Sequence, residues 1–183
     1  MKKTLIILIL FFGLIHSVNA EVKRITSGNK NAKITIIAYE SLTCSHCADF
    51  HKNIYPKLKK EYLDTGLAKI EFRHFPLDIA ALNAAKITQC KQDESLEILG
   101  SLYLNQQAWV KGNTIEEVNK NLKEFIEKKG FKINLNEFIK NKEIEDFVLN
   151  DRIEGTKKFK VNATPTIIIN NKKFEKSLNY KNL

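Results

Sequence analysis

The chain has 183 residues, 43% of them hydrophobic and 28% charged, a balance that excludes a disordered chain and suits one globular domain with a real core. Its formal net charge is +9, but the lysines are scattered, with only short pairs such as Lys157-Lys158 and Lys172-Lys173, so the basicity reads as a solvated surface and not as a nucleic-acid patch. Three cysteines, two close together and one alone, are too few for a disulfide framework and fit a reactive pair plus one extra thiol.

Lys2 and Lys3 precede an apolar run over residues 5–15, and Val18 and Ala20 occupy the −3 and −1 positions of a cleavage site. This is the pattern of a secretory signal peptide over residues 1–20, because the run is about half of the ~20 apolar residues that cross a bilayer. Cleavage there leaves residues 21–183, with 28 basic and 21 acidic residues and a net charge of +7. No second long apolar stretch follows, so a soluble exported domain is expected.

Residues 21–26 alternate weakly and predict an edge strand, and Gly28-Asn29 predicts a turn. Ile34-Thr35-Ile36-Ile37-Ala38-Tyr39 is β-branched and apolar on both faces, as a doubly covered central strand requires. A loop containing Cys44-Ser45-His46-Cys47 then enters a helix whose apolar positions are Phe50, Ile54, Leu58 and Tyr62, with a kink expected at Pro56. Residues 68–72 alternate as a further strand, and residues 78 to about 160 read as helix almost throughout. Within that block Thr114-Ile115-Glu116-Glu117 is a capped helix start, and Trp109, like Phe75 before the block, is expected in the core. Cys90 reads as a buried free thiol, with a regulatory or intermolecular role as the alternative. Thr164-Pro165 precedes the apolar strand Thr166-Ile167-Ile168-Ile169, and that setting makes Pro165 a candidate cis residue. Asn170-Asn171 predicts a tight turn into a short strand over 172–174, and residues after Ser177 could open one more helix.

The chemistry sits at the cysteine pair. A cysteine at a helix N-terminus meets unpaired backbone N–H groups and the positive end of the helix dipole, which favour its thiolate. The thiolate is the nucleophile of disulfide exchange, so the spacing makes Cys44 the attacking thiol and Cys47, one turn on, the thiol that resolves the mixed disulfide. His46 between them would push the same way when protonated. A zinc site is the competing reading of a CxxC, but zinc wants four ligands and neither a second CxxC nor an HxxxH is present, so no metal and no cofactor are expected.

A strand, a CxxC at a helix start, a long helical block and a late Thr-Pro before a hairpin together resemble the thioredoxin superfamily, and within it the DsbA-like oxidoreductases. The strings Tyr39-Glu40-Ser41-Leu42-Thr43-Cys44-Ser45-His46-Cys47-Ala48-Asp49-Phe50-His51 and Phe72-Arg73-His74-Phe75-Pro76-Leu77-Asp78 look like the bacterial active-site region. The resemblance implies an α/β thioredoxin fold with an inserted all-helical subdomain at about 78–160. It implies Cys44 as exposed nucleophile, Cys47 as buried partner, His46 as tuning residue, Pro165 as a cis-proline beside the disulfide, and Thr164 as a backbone contact for bound peptide. It implies a monomeric periplasmic oxidoreductase that introduces disulfides into unfolded exported proteins and is re-oxidised by a membrane thiol oxidase. The alternatives are a reductase or isomerase, and a binding or chaperone module whose CxxC is dispensable. The short stretch before Ile34 has no room for the dimerisation domain such isomerases carry. Two positions depart from the family pattern: Ser45 stands where a proline is frequent, and Ala38 stands where many members have a buried acid, six residues before the first cysteine. Glu40 is the nearest acid, and a proton-transfer role for it is one of the readings open at this point.

Overall fold

The computed structural model describes residues 22–89 and 96–183. The leader expected over residues 1–20, and Cys90, lie outside the described residues.

Five strands form one mixed sheet in the order β1-β3-β2-β4-β5. They are β1 (Ile25–Gly28), β2 (Ile34–Glu40), β3 (Ala68–His74), β4 (Thr166–Ile169) and β5 (Lys172–Lys173). The pair β2–β3 is parallel, and the helical arm from Ser45 to Leu63 connects the two strands; all other pairings are antiparallel. As the composition of 34–39 predicts, β2 lies at the centre and is buried on both faces from Ile36 to Glu40. Alternation then sorts its side chains. Ile36 and Ala38 enter the main core with Phe50, Phe72 and Trp109, while Ile37 and Tyr39 enter a second core with Phe75, Phe159 and Ile168. The same period puts Glu40 on the face of Ile36 and Ala38, the face that the cysteine helix covers.

The arm after β2 is not one regular helix. It runs as α1 (Ser45–Asp49), a π-helical turn (Phe50–Ile54), α2 (Tyr55–Leu58) and a second π-helical turn (Lys59–Leu63). The kink expected at Pro56 takes this form: Pro56 is the second residue of α2, and just before it Tyr55 N–H bonds Phe50 C=O, five residues back. Among the described residues, six further helices lie between β3 and β4: α3 (Ile79–Thr88), α4 (Glu97–Leu104), α5 (Gln106–Trp109), α6 (Ile115–Lys128), α7 (Leu135–Lys140) and α8 (Lys142–Phe159). Thr114 caps α6 as its sequence predicts, accepting from Glu117 N at 3.2 Å. Lys86 of α3, fully buried, pairs with Glu145 of α8 at 2.7 Å and also donates to the Ile139 carbonyl of α7, so one cation ties three helices. Asn170 and Asn171 both adopt positive φ (46° and 65°), which is the geometry of the tight hairpin turn between β4 and β5.

Two expectations need correction. The first strand is displaced toward the turn, at Ile25–Gly28, because the ladder with β3 pairs Ile25 with Phe72 and Gly28 with Lys69. The segment after Ser177 forms no helix; Asn182 N–H and Nδ2 bond back to Asn179 and Ser177 in a local turn, a competition that asparagine-rich sequence favours.

Two helix-interior glycines show why local space decides a residue. At Gly155 of α8 an added Cβ would sit 2.7 Å from the ring of Tyr39, which is fully buried; at Gly100 of α4 it would meet nothing within 4 Å. Gly155→Ala should therefore destabilise the fold by about 1–3 kcal/mol through overpacking, and Gly100→Ala should stabilise it by about 0.5–1 kcal/mol through helix propensity. Urea midpoints that move in the same direction for both variants would contradict the packing of α8 against β2.

Candidate active site

Cys44 is the N-cap residue of α1, with extended backbone angles (φ −80°, ψ 120°), so its side chain meets the unpaired N–H groups of the first turn. It is half-buried, while Cys47 is completely buried behind it. The two thiols are free. The Thr164–Pro165 bond is cis, as expected, and brings the Thr164 carbonyl 3.3 Å from Cys44 Sγ. The structure thus joins Cys44, Cys47, Thr164 and Pro165 across 120 residues of sequence. His46 is placed differently: its imidazole is exposed, on a groove of about 690 Å³ that Phe50, Ile54, Thr164, Pro165 and Tyr180 also line. His51 and His74 stand apart from it, His51 on Glu40 and His74 on Thr88 and Gln89.

The two thiols have opposite electrostatics. Cys44 is drawn down to about 5, first by the hydrogen bond from the Cys47 thiol, against the cost of partial burial, and then by Thr164 and the backbone N–H groups of Cys47 and His46. The Thr164 hydroxyl is buried and has no hydrogen-bond partner among the described residues. Cys47 is pushed far up, first by burial, then by its role as donor to Cys44 and by the charge of Glu40. The negative charge of the reduced pair therefore resides on the exposed sulfur.

Beneath the pair lies a polar cluster that the sequence did not assemble. Glu40 is buried, and one carboxylate oxygen accepts from His51 Nε2 at 2.8 Å while the other has no partner among the described residues. Burial raises its pKa, and the His51 contact opposes this. The His51 ring stacks on Tyr103 at 4.1 Å, and the buried Tyr103 hydroxyl also lacks a partner among the described residues. Tyr103 titrates well above its usual range, from burial first and then from the charges of Glu40, Cys47 and Cys44, which places all four groups in one electrostatic neighbourhood. His51 had a signal in sequence, four residues after Cys47 and hence on the same helix face. Tyr103 had none, because α4 brings it from the helical block.

The loop ahead of Cys44 is fixed by polar contacts. Cys44 N–H bonds Ser41 C=O at 3.1 Å, and Leu77 N–H bonds Ser41 Oγ at 3.3 Å. Thr43 Oγ1 donates to Asp78 at 2.7 Å, and the same Asp78 caps α3 by accepting from Ala81 N. Gln106 Nε2 donates to the carbonyls of Leu42 and Cys44.

A strand–CxxC–helix unit faced by a cis Thr-Pro loop defines a thioredoxin-fold protein with a paired thiol centre. Comparison with known proteins narrows this. Residues 20–183 match the thioredoxin family. Alpha-DsbA1 of Wolbachia pipientis superposes with a TM-score of 0.70 at 32% identity, over 84% of this chain and 79% of that one. Disulfide bond formation protein D of Bacillus subtilis is 25% identical over 163 residues, 84% of this chain and 70% of that protein. A putative protein-disulfide oxidoreductase of Rickettsia bellii is 37% identical over 93 residues, half of this chain and 36% of that relative, so the match spans about a third of the Rickettsia protein's length. The chain belongs to the thioredoxin superfamily and, within it, to the DsbA-like proteins. Among the described residues no helix is long and apolar enough to cross a membrane.

A cysteine depressed this far has consequences for both reactivity and stability. Thiolate absorbance of the reduced protein should show its first inflection near 5 and should move upward in Cys47→Ser, since the Cys47 thiol is the largest lowering influence. The linkage sign is that of a lowered pKa. Ionised Cys44 stabilises the reduced fold fully above the free-thiol range of about 8.5, and that contribution is lost as pH falls through about 5. Reduced wild type should lose this increment on acidification, and reduced Cys44→Ala should not; equal pH profiles of unfolding for the two would refute the thiolate assignment.

Proposed function

We propose that the protein is a thiol:disulfide oxidoreductase that introduces disulfide bonds into exported proteins, with the Cys44–Cys47 pair as its redox centre. The observation that carries this reading is the asymmetry of the pair: a half-exposed sulfur at a helix start, 3.3 Å from the Thr164 carbonyl, with a fully buried second sulfur behind it. In the oxidised protein a substrate thiolate attacks Cys44 Sγ, the Cys44–Cys47 bond breaks, and Cys47 takes up a proton as it is released. A second substrate thiolate attacks the substrate sulfur of the mixed disulfide and expels Cys44 as a thiolate, a good leaving group because its pKa is low. The substrate dithiol is oxidised to a disulfide, and two electrons remain on the reduced pair. A membrane thiol oxidase is the proposed acceptor that restores it. The Thr164 backbone holds the substrate peptide beside Cys44, and the groove of His46 and Pro165 receives its neighbouring residues. Residues 1–20 are the proposed cleaved leader, residues 21–183 the working domain, and the periplasm its site of action as a monomer.

Released Cys47 cannot stay charged in its buried setting, so a nearby acid must supply a proton. Glu40 is the group we assign: it is buried, its pKa is raised, and its charge acts on Cys47. Glu40→Gln keeps the hydrogen bond to His51 and removes the titrating proton. It should slow mixed-disulfide formation at least about tenfold in acid-quench trapping and flatten the pH profile; an unaltered profile would remove Glu40 from the proton path.

Cys44→Ser should abolish disulfide exchange with a reduced peptide. The reduction potential against glutathione decides the direction of flow. A value near about −120 mV supports disulfide donation, and one near about −270 mV assigns the same site to a reductase. Persistence of the biological effect in Cys44→Ser would favour a binding or chaperone module.

A further inference from the structure

We propose that Gln106 is a positioning residue of the redox centre: from the inserted helical block it holds the carbonyls on either side of Thr43 and so fixes Cys44 against the start of α1. The inference rests on the reading of Cys44 as the reactive thiol. Gln106 Nε2 donates to Leu42 O at 2.8 Å and to Cys44 O at 3.0 Å, which uses both of its N–H bonds. Neither contact is a routine filling of the helix ladder. The Cys44 carbonyl already accepts from Cys47 N at 3.1 Å and Ala48 N at 3.2 Å, and the Leu42 carbonyl lies ahead of α1, outside its hydrogen bonds.

The donor sits on a prepared support. Gln106 is the first residue of α5, which ends at the fully buried Trp109, and the Trp109 indole N–H bonds Leu102 C=O of α4 at 3.0 Å. Asn105, next to it, is tied to Ser101 C=O at 2.9 Å. On the far side of the loop Thr43 is held by Asp78, the cap of α3. Three successive residues, Leu42, Thr43 and Cys44, are thus gripped by the helical block and not by the sheet that leads into them.

The chemical effect follows from the sign of the dipoles. An amide donor on the Leu42 and Cys44 carbonyls offsets their partial negative charge and holds Cys44 at the N-terminus of α1, where backbone N–H groups meet its sulfur. Gln106 acts on the reduced, charged state of Cys44 through the backbone, without touching the sulfur.

The test compares Gln106→Met, near-isosteric but without donors, and Gln106→Ala with wild type, and uses Gln107→Ala, exposed on the same helix, as control. The readouts are iodoacetamide alkylation of the reduced protein across pH and the equilibrium with glutathione, with thermal midpoints alongside. Both Gln106 variants should lose about three- to tenfold in alkylation rate at pH 5, where the thiolate fraction decides the rate, and should shift the glutathione equilibrium toward the disulfide by the same factor. Gln107→Ala should match wild type. Gln106→Met with unaltered alkylation and equilibrium, even at a lower thermal midpoint, would reduce Gln106 to a packing contact and overturn the inference. Failure of the wild type itself to alkylate in acid would instead remove the underlying reading of Cys44.

Discussion

A pair of sulfurs three positions apart at the start of one helix can exchange disulfides usefully only if one of them carries the charge and the other does not. Here the separation of roles comes from depth. Cys44 stands at the open end of α1, where backbone N–H groups have no carbonyl partners, and Cys47 stands one turn further in, where no water reaches it. The rest of the fold serves that difference. The doubly covered β2 carries the chain to the correct end of the sheet, the Thr164–Pro165 loop brings the Thr164 carbonyl to the exposed sulfur, and the helical block closes over the buried one.

The same depth brings a cost in buried polar groups, and the structure meets it unevenly. Asp151 is satisfied by Arg24 and by the backbone N–H of His74, and Lys86 by Glu145 and a carbonyl. These groups stitch α8 to the sheet and α3 to α7 and α8. Glu40 and Tyr103 are not fully satisfied: each leaves an oxygen without a partner among the described residues, close to the cysteine pair. Buried polar atoms that remain unpaired are costly, and among the described residues those of Glu40 and Tyr103 share the electrostatic neighbourhood of the cysteine pair.

What could be read in sequence was whatever is encoded locally. The helix-start cysteine, the β-branched run of β2, the Thr114 cap and the Asn170-Asn171 turn each depend on a few neighbouring residues, and each stands where its pattern puts it. The cis bond at Pro165 needed the fold resemblance as well, because the residues around a proline do not set its isomer. Tyr103 and Gln106 could not be placed, since their roles arise from how the helical block docks on the sheet, and His51 was legible only as sharing the helix face of Cys47, because helical periodicity says which face is buried but not against what. The missing helix after Ser177 is the opposite failure: a local pattern suggested a helix, and asparagine side chains captured the backbone in turns.

The central strand β2 pairs with β3 across about one helical arm, but its other neighbour, β4, comes from the far end of the chain: Ile36 lies opposite Ile169. Cys44 likewise meets Thr164 only after a separation of 120 residues. Closing so long a loop is an entropic cost paid before its contacts give any return, and topologies of this kind fold slowly. The cysteine pair is therefore synthesised early and completed late. A nascent chain exposes two ordinary thiols, and the asymmetric centre exists only once the strand that follows Pro165 has docked. Chain topology thereby acts as a timer that keeps the reactive sulfur unassembled until the domain around it is whole.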